Sequence, residues 1–123
     1  MVPRSLRIWF VIHFAADYLA AIPLMAAPVA VLSLLGWQVV DPLATRLVAA
    51  ALFGIGGVSL TGRNADAPSF RHMLTMKLIW ASTAILGIAW SIAEGAPQAA
   101  WGFLVIFVLF GLLWGYYRVI LGK

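Results

Sequence analysis

The sequence predicts an all-α integral membrane protein, built as an antiparallel bundle of four transmembrane helices. Hydrophobic residues make up 64% of the 123 residues and charged residues only 10%, whereas soluble domains are roughly half apolar and about a quarter charged. Four apolar segments each approach the ~20 residues that a helix needs to cross a bilayer. The links between them are short, which favours antiparallel neighbours. We therefore expect one transmembrane domain over residues 1–123. No sequence repeat is visible, and an inverted two-plus-two repeat stays open.

The first predicted span covers about residues 8–27 and contains two prolines. Proline removes a backbone donor and clashes with the preceding turn, so we expect a kink near Pro23 and a helix end near Pro28. Residues 29–37 would then form a short helical or extended segment at the outer interface. The alternative is one long, bent helix that continues through Leu35. The apolar run is too long for an ordinary signal peptide, so we interpret it as a retained helix.

The other spans are predicted at about residues 43–60, 70–92 and 98–119. Helices in lipid associate through close packing, so small residues at intervals of three or four indicate contact faces. These residues are Ala50, Gly54, Gly57 and Thr61 in the second span, Thr83, Gly87 and Ser91 in the third, and Gly111 and Gly115 in the fourth. The pattern does not separate contacts within one chain from contacts between copies. We expect a homodimer or a larger membrane complex.

The distribution of basic residues predicts the orientation, because short cytoplasmic loops are enriched in lysine and arginine. With the N-terminus inside, the cytoplasmic side carries six basic residues: Arg4, Arg7, Arg63, Arg71, Arg118 and Lys123. The outer side carries only Arg46. The sequence therefore predicts a multi-pass protein of the cell (inner) membrane with both termini cytoplasmic. Because the basic residues lie at helix ends, they indicate contact with membrane lipid rather than with nucleic acid.

Three ionisable residues are predicted to lie inside the spans, where each is a candidate for function because burial of charge in lipid is costly. Asp17 falls near the bilayer midplane, and His13 lies one turn away on the same helix face. Lys77, in the third span, is predicted at a depth similar to that of His13. The three would form a polar site that binds a ligand or an ion.

Three interpretations of this site remain open. Asp17 and Lys77 could form a buried ion pair that fixes the packing, with His13 hydrogen-bonded nearby. Alternatively, Asp17 could be a protonatable carboxylate in a cavity that holds water or a ligand. In the third interpretation, Lys77 extends to the cytoplasmic interface and Asp17 is satisfied by backbone groups or water.

Aromatic residues at helical spacing suggest a wall for an apolar ligand. The fourth span carries aromatic side chains at intervals of three or four residues. The ligand-wall candidates are Tyr18, Trp80, Phe107, Phe110 and Trp114. The alternative is that these rings form the bundle core or contact lipid.

Cofactor and metal chemistry find little support. The chain has no cysteine, which excludes thiolate sites and cysteine catalysis. Its two histidines, His13 and His72, are predicted at different depths and so are poorly placed for haem. No phosphate-binding loop or nucleophile elbow is present. We expect no cofactor and no metal, and a binding role more than an enzymatic one.

In layout the chain resembles the small multidrug resistance transporters. About 110 residues form four helices, and the first helix carries one acidic residue inside the membrane. The acid here is Asp17 rather than glutamate, the third span holds Lys77, and the charge bias opposes a dual-topology assembly.

The function that the sequence favours is binding or passage of a proton, an ion or a small amphipathic molecule at Asp17, His13 and Lys77. The alternative is a structural or accessory subunit of a larger membrane complex. A third hypothesis is an intramembrane enzyme that acts on a lipid-like substrate.

Overall fold

The computed structural model describes residues 1–122. In that range the chain forms five α-helices and no strand. The helices are α1 (Arg4–Ala26), α2 (Pro28–Leu34), α3 (Pro42–Thr61), α4 (Ala67–Ala93) and α5 (Ala99–Ile120). Four of them, α1, α3, α4 and α5, are long and apolar enough to cross a membrane. The prediction of an all-helical protein with four candidate spans is therefore confirmed. Lys123, counted above among the cytoplasmic basic residues, lies outside the described residues.

The chain forms two compact units. The first contains Pro3–Ala65, with helices α1, α2 and α3, and the second contains α4 and α5. In each unit the two long helices pack on each other. The single domain and the antiparallel arrangement of all four spans stay predictions.

In the first unit, α1 and α3 are joined at both ends by arginine side chains. The Arg7 Nη1 atom donates to the Arg63 and Ala65 carbonyl oxygens, at 2.9 Å and 3.0 Å. At the opposite ends of the helices, the Arg46 Nε atom donates to the Met25 carbonyl at 3.0 Å. The start of α1 therefore lies beside the end of α3, and the end of α1 beside the start of α3.

The prolines divide the first apolar segment into two helices. Pro23 lies inside α1, and the Ala27 N–H donates to the Pro23 carbonyl at 2.8 Å. Ala27 then leaves the helical conformation, with φ −143° and ψ 64°, and Pro28 begins α2. Proline is well suited to the first turn of a helix, where its missing N–H has no intrahelical partner. The segment that follows α1 is thus a short helix and not a continuation of α1.

Aspartate residues start two of the long helices. The Asp41 Oδ1 atom accepts from the Leu43 and Ala44 amides at 2.9 Å and 3.3 Å, at the start of α3. The Asp66 Oδ1 atom accepts from the Ser69 amide at 3.0 Å, at the start of α4. These carboxylates satisfy backbone donors that the first turn leaves unpaired.

The small-residue faces predicted above have different environments. A Cβ atom added at Gly111 would lie 3.5 Å from the Ala81 Cβ, so this glycine lies at the contact between α4 and α5. A Cβ atom at Gly54 or Gly87 would meet nothing within 4 Å. Gly56 is buried instead, on a face of α3 with intervals of three and four: Thr45, Ala49, Leu52, Gly56 and Ser59.

Candidate functional site

The predicted acid and histidine meet on one buried face of α1. His13 and Asp17 are one helical turn apart, and the His13 Nε2 atom lies 3.3 Å from the Asp17 Oδ1 atom. Their side chains are only 6% and 9% exposed. Both lie in the central part of a helix apolar enough to span a membrane. The pair therefore places two ionisable groups where water is scarce and charge is costly.

Helix α3 packs against this pair and has a glycine, Gly56, at the point where it passes Asp17. A Cβ atom at Gly56 would lie 2.9 Å from the Asp17 Cβ and 3.1 Å from the Tyr18 ring. Real Cβ contacts are essentially never that short, so α3 can approach Asp17 this closely only because residue 56 has no side chain. The acid is thus packed directly against the backbone of α3.

Tyr18 is fixed to α3 by its hydroxyl group and its ring. The hydroxyl donates to the Phe53 carbonyl at 3.2 Å. Its ring lies 4.9 Å from the Phe53 ring in an edge-to-face arrangement, and 4.5 Å from the Phe14 ring. Tyr18 is one of the predicted ligand-wall residues. In the structure it contacts Phe14 and Phe53, which belong to the same unit of the chain.

Ser59 is a buried polar residue that the sequence analysis did not select. It is 0% exposed, and its hydroxyl donates to the Ile55 carbonyl one turn earlier at 3.0 Å. Gly56 is likewise absent from the contact face predicted for this span. A polar or very small residue within an apolar span was the available signal, but that signal is common in membrane helices.

The other predicted site residues lie together in the second unit. The Lys77 Nζ atom lies 4.9 Å from the centroid of the Trp114 ring, and both residues are 1% exposed. Phe110 stacks on Trp114 with centroids 5.6 Å apart, and the Trp80 and Phe107 rings are 6.0 Å apart. The aromatic stripe therefore packs within this unit. The predicted pairing of Lys77 with Asp17 stays a prediction.

The chemistry available at the site is that of a carboxylate and an imidazole. In residues 1–122 no group of three or more histidine or acidic side chains is arranged to hold a metal ion. An imidazole and a carboxyl group are both able to accept and release a proton. Because the two groups are 3.3 Å apart, the protonation state of one affects that of the other. Gain or loss of a proton is then a property of the pair and not of either residue alone.

Comparison with known proteins gives this chain no relative: no protein-family model, no curated protein and no solved structure matches it. The resemblance to the small multidrug resistance transporters is therefore one of layout. The function has to be inferred from the buried residues and their contacts.

Proposed function

We propose that this chain is a small multi-pass membrane protein whose buried site at His13 and Asp17 binds or passes a proton, an ion or a small amphipathic molecule. The observation that carries the proposal is the 3.3 Å separation between the His13 Nε2 and Asp17 Oδ1 atoms within an apolar helix. Ionisable residues inside membrane spans typically belong to ion pathways and proton relays. Lys77 is the third proposed member of the site, on the basis of its predicted depth.

The charge of the pair changes by one unit with each proton gained or lost. When the imidazole is neutral and the carboxylate ionised, the His13–Asp17 pair carries one negative charge, which the proposed third member, Lys77, or a bound cation can neutralise. When the imidazole is protonated, the pair is neutral overall and that attraction is lost. A site of this kind can therefore exchange a proton for another positively charged ligand.

The proposed arrangement in the membrane is an antiparallel four-helix bundle with both termini cytoplasmic. Six basic residues on the proposed cytoplasmic side, against Arg46 on the other, support this orientation. The proposed location is the cell (inner) membrane, where lipid surrounds the apolar helix faces.

A second candidate is a structural or accessory subunit of a larger complex, which includes a homodimer. It is favoured by the open faces on α3 and α4, where Gly54 and Gly87 have no neighbour within 4 Å. Small residues of this kind let helices of another chain approach closely.

Infrared spectroscopy of the purified protein in lipid nanodiscs distinguishes the two candidates. The chain has four acidic residues, and Asp41, Asp66 and Glu94 lie at the ends of helices and not within them. We expect a carboxyl band from Asp17 that changes when the pH of the sample is varied from about 3 to about 9, a range that includes the ordinary values for aspartate and histidine. Asp17→Asn should remove this band and leave the helical content unchanged.

Two outcomes would contradict the binding role. A band assigned to Asp17 that stays constant over the whole pH range would mean that the acid does not exchange protons. Failure of the Asp17→Asn protein to fold would indicate that Asp17 serves the packing. Either result would favour the structural candidate.

A further inference from the structure

The contact between Asp17 and Gly56 links the packing of two helices to the position of one carboxyl group. An added Cβ at Gly56 would overlap the Asp17 Cβ at 2.9 Å. The Asp17 Cβ is held by its own backbone and cannot rotate away, unlike the end of a long side chain. A methyl group at position 56 must therefore move α1 relative to α3 at this point, and the carboxyl group moves with α1.

The neighbouring tyrosine limits rotation of α1 about its own axis. Tyr18 follows Asp17 directly, and its hydroxyl donates to the Phe53 carbonyl on α3 at 3.2 Å. The same hydroxyl lies 3.1 Å from the place that a Cβ on Gly57 would occupy. The Tyr18 hydroxyl is therefore anchored by a hydrogen bond and lies beside Gly57, and the edge of its ring lies against Gly56.

We infer that Gly56 and Tyr18 are positioning residues that determine where the Asp17 carboxyl group lies and hence how it exchanges protons. The inference rests on the proposed function of the His13–Asp17 site and extends it to α3. Gly56 sets the separation of the two helices at Asp17, and Tyr18 sets the rotation of α1. Neither residue binds the ligand or the proton itself.

Gly54 provides a matched control on the same helix. Gly54→Ala and Gly56→Ala add the same methyl group and favour the helix to the same extent. They differ in contact, because a Cβ at Gly54 meets nothing within 4 Å. Gly57→Ala is intermediate, because its Cβ would lie 3.1 Å from one atom only, the Tyr18 hydroxyl oxygen.

The test is the infrared pH titration of Asp17 in nanodiscs, measured for the wild type and each glycine variant. We expect Gly56→Ala to shift the titration midpoint by about half a pH unit or more, because a carboxyl group responds to small changes in nearby charges and hydrogen bonds. Gly54→Ala should leave the midpoint and the band frequency unchanged. Gly57→Ala should give a smaller shift than Gly56→Ala.

Tyr18→Phe tests the same inference without steric overlap. It keeps the ring and removes the hydrogen bond to Phe53, so we expect a shifted midpoint with intact helical content. This variant decides the question if Gly56→Ala does not fold. The inference is overturned if Tyr18→Phe, together with any folded Gly56→Ala protein, titrates as the wild type does.

The two proposals fail in different ways. If Asp17 does not titrate in the wild-type protein, the proposed function is wrong, whatever the glycine variants show. If Asp17 titrates in the wild type but the Gly56 and Tyr18 variants leave it unchanged, only the positioning role is wrong. An equal shift in Gly54→Ala would also overturn the positioning role, since that change makes no contact.

Discussion

Lys77 is a buried basic residue that lies over an aromatic ring. The residue is 1% exposed, and its Nζ atom lies 4.9 Å from the Trp114 ring centroid. An ammonium group over the face of a tryptophan ring is attracted by the electron-rich ring, and the attraction increases when water is excluded. The contact identifies Trp114 as a residue that stabilises the buried lysine.

A double-mutant cycle tests whether Lys77 pairs with Asp17. Removing one member of a buried ion pair leaves a buried charge without its counterion, which costs about 3–5 kcal/mol. If Lys77 and Asp17 form such a pair, Lys77→Met should lower the free energy of unfolding in detergent by about this amount, and Asp17→Asn should lower it as well. Combining it with Asp17→Asn should recover about 1 kcal/mol or more relative to the sum of the single changes.

The matched control pairs Lys77→Met with Asp41→Asn, an exposed acid at the start of α3. Those two changes should be additive. Additivity in the Asp17 cycle as well would show that the lysine and the acid do not interact. It would favour the alternative in which Lys77 extends to the interface.

At the scale of helices, arginine side chains satisfy backbone carbonyl groups at helix ends. The last turn of a helix leaves four carbonyl groups without an intrahelical donor, and lipid offers no replacement. Arg7 donates to the carbonyl groups of Arg63 and Ala65 after α3, and Arg71 donates to the Leu121 carbonyl after α5 at 3.4 Å. In each unit, therefore, an arginine near the start of the first long helix donates to backbone carbonyl groups that follow the second long helix.

The two units also share a pattern of buried residues that the sequence analysis did not detect. Ser5 to Arg7 reads Ser-Leu-Arg, and Ser69 to Arg71 reads Ser-Phe-Arg. From these points the buried positions follow the same intervals of four, three and four: Leu6, Phe10, His13 and Asp17 on α1, and Phe70, Leu74, Lys77 and Ala81 on α4. His13 and Lys77 thus occupy equivalent positions on the two helices.

The start of α4 should depend on pH through Asp66. The hydrogen bonds from Ser69 lower the pKa of the Asp66 carboxyl group below its ordinary value. A carboxyl group with a lowered pKa in the folded state stabilises that state above its ordinary pKa, and the contribution is lost as the pH falls through the lowered pKa. We expect the first turn of α4 to loosen at acidic pH.

The measurement is the NMR chemical shift of the Ser69 amide as a function of pH. Its midpoint should lie below about 3.9, the ordinary value for aspartate. Asp66→Asn should abolish the pH dependence of the Ser69 chemical shift. It should leave unchanged the chemical shift of the Leu43 amide, which is capped by Asp41. A midpoint at or above the ordinary value would show that the cap does not favour the ionised carboxylate.

At the scale of the whole molecule, most of each span faces outward from the chain. Between 11% and 22% of the residues in the four spans are buried within it. Large hydrophobic side chains such as Trp90, Leu109 and Leu112 are more than half exposed. In water such a surface would aggregate, whereas in a bilayer it is covered by lipid or by other membrane helices.

Cysteine labelling tests the proposed orientation. The chain has no cysteine, so each variant has one reactive thiol. Gln38→Cys and Glu94→Cys should react with a membrane-impermeant maleimide in intact cells, because both lie on the proposed outer side. Asn64→Cys should react only after the membrane is permeabilised. Labelling of all three positions from the same side would contradict the proposed topology.

The sequence by itself determined the class of the protein and the number of its long helices. Hydrophobicity sustained over four segments can be read locally, because the free energy of placing a helix in lipid is approximately a sum over its residues. The helix break near Pro28 was predictable for the same reason, since proline acts on its own turn. The proximity of His13 and Asp17 also follows from their spacing along one helix.

Only the tertiary structure decided which small residues form close contacts and what surrounds the acid. The same apolar span contains three glycines, Gly54, Gly56 and Gly57. Only Gly56 lies against the Asp17 Cβ. That difference depends on the rotation of α3 relative to α1, which is set by many contacts acting together, including the hydrogen bond from Tyr18 to Phe53. No local pattern encodes such a rotation, because lipid and a neighbouring helix are almost equally apolar.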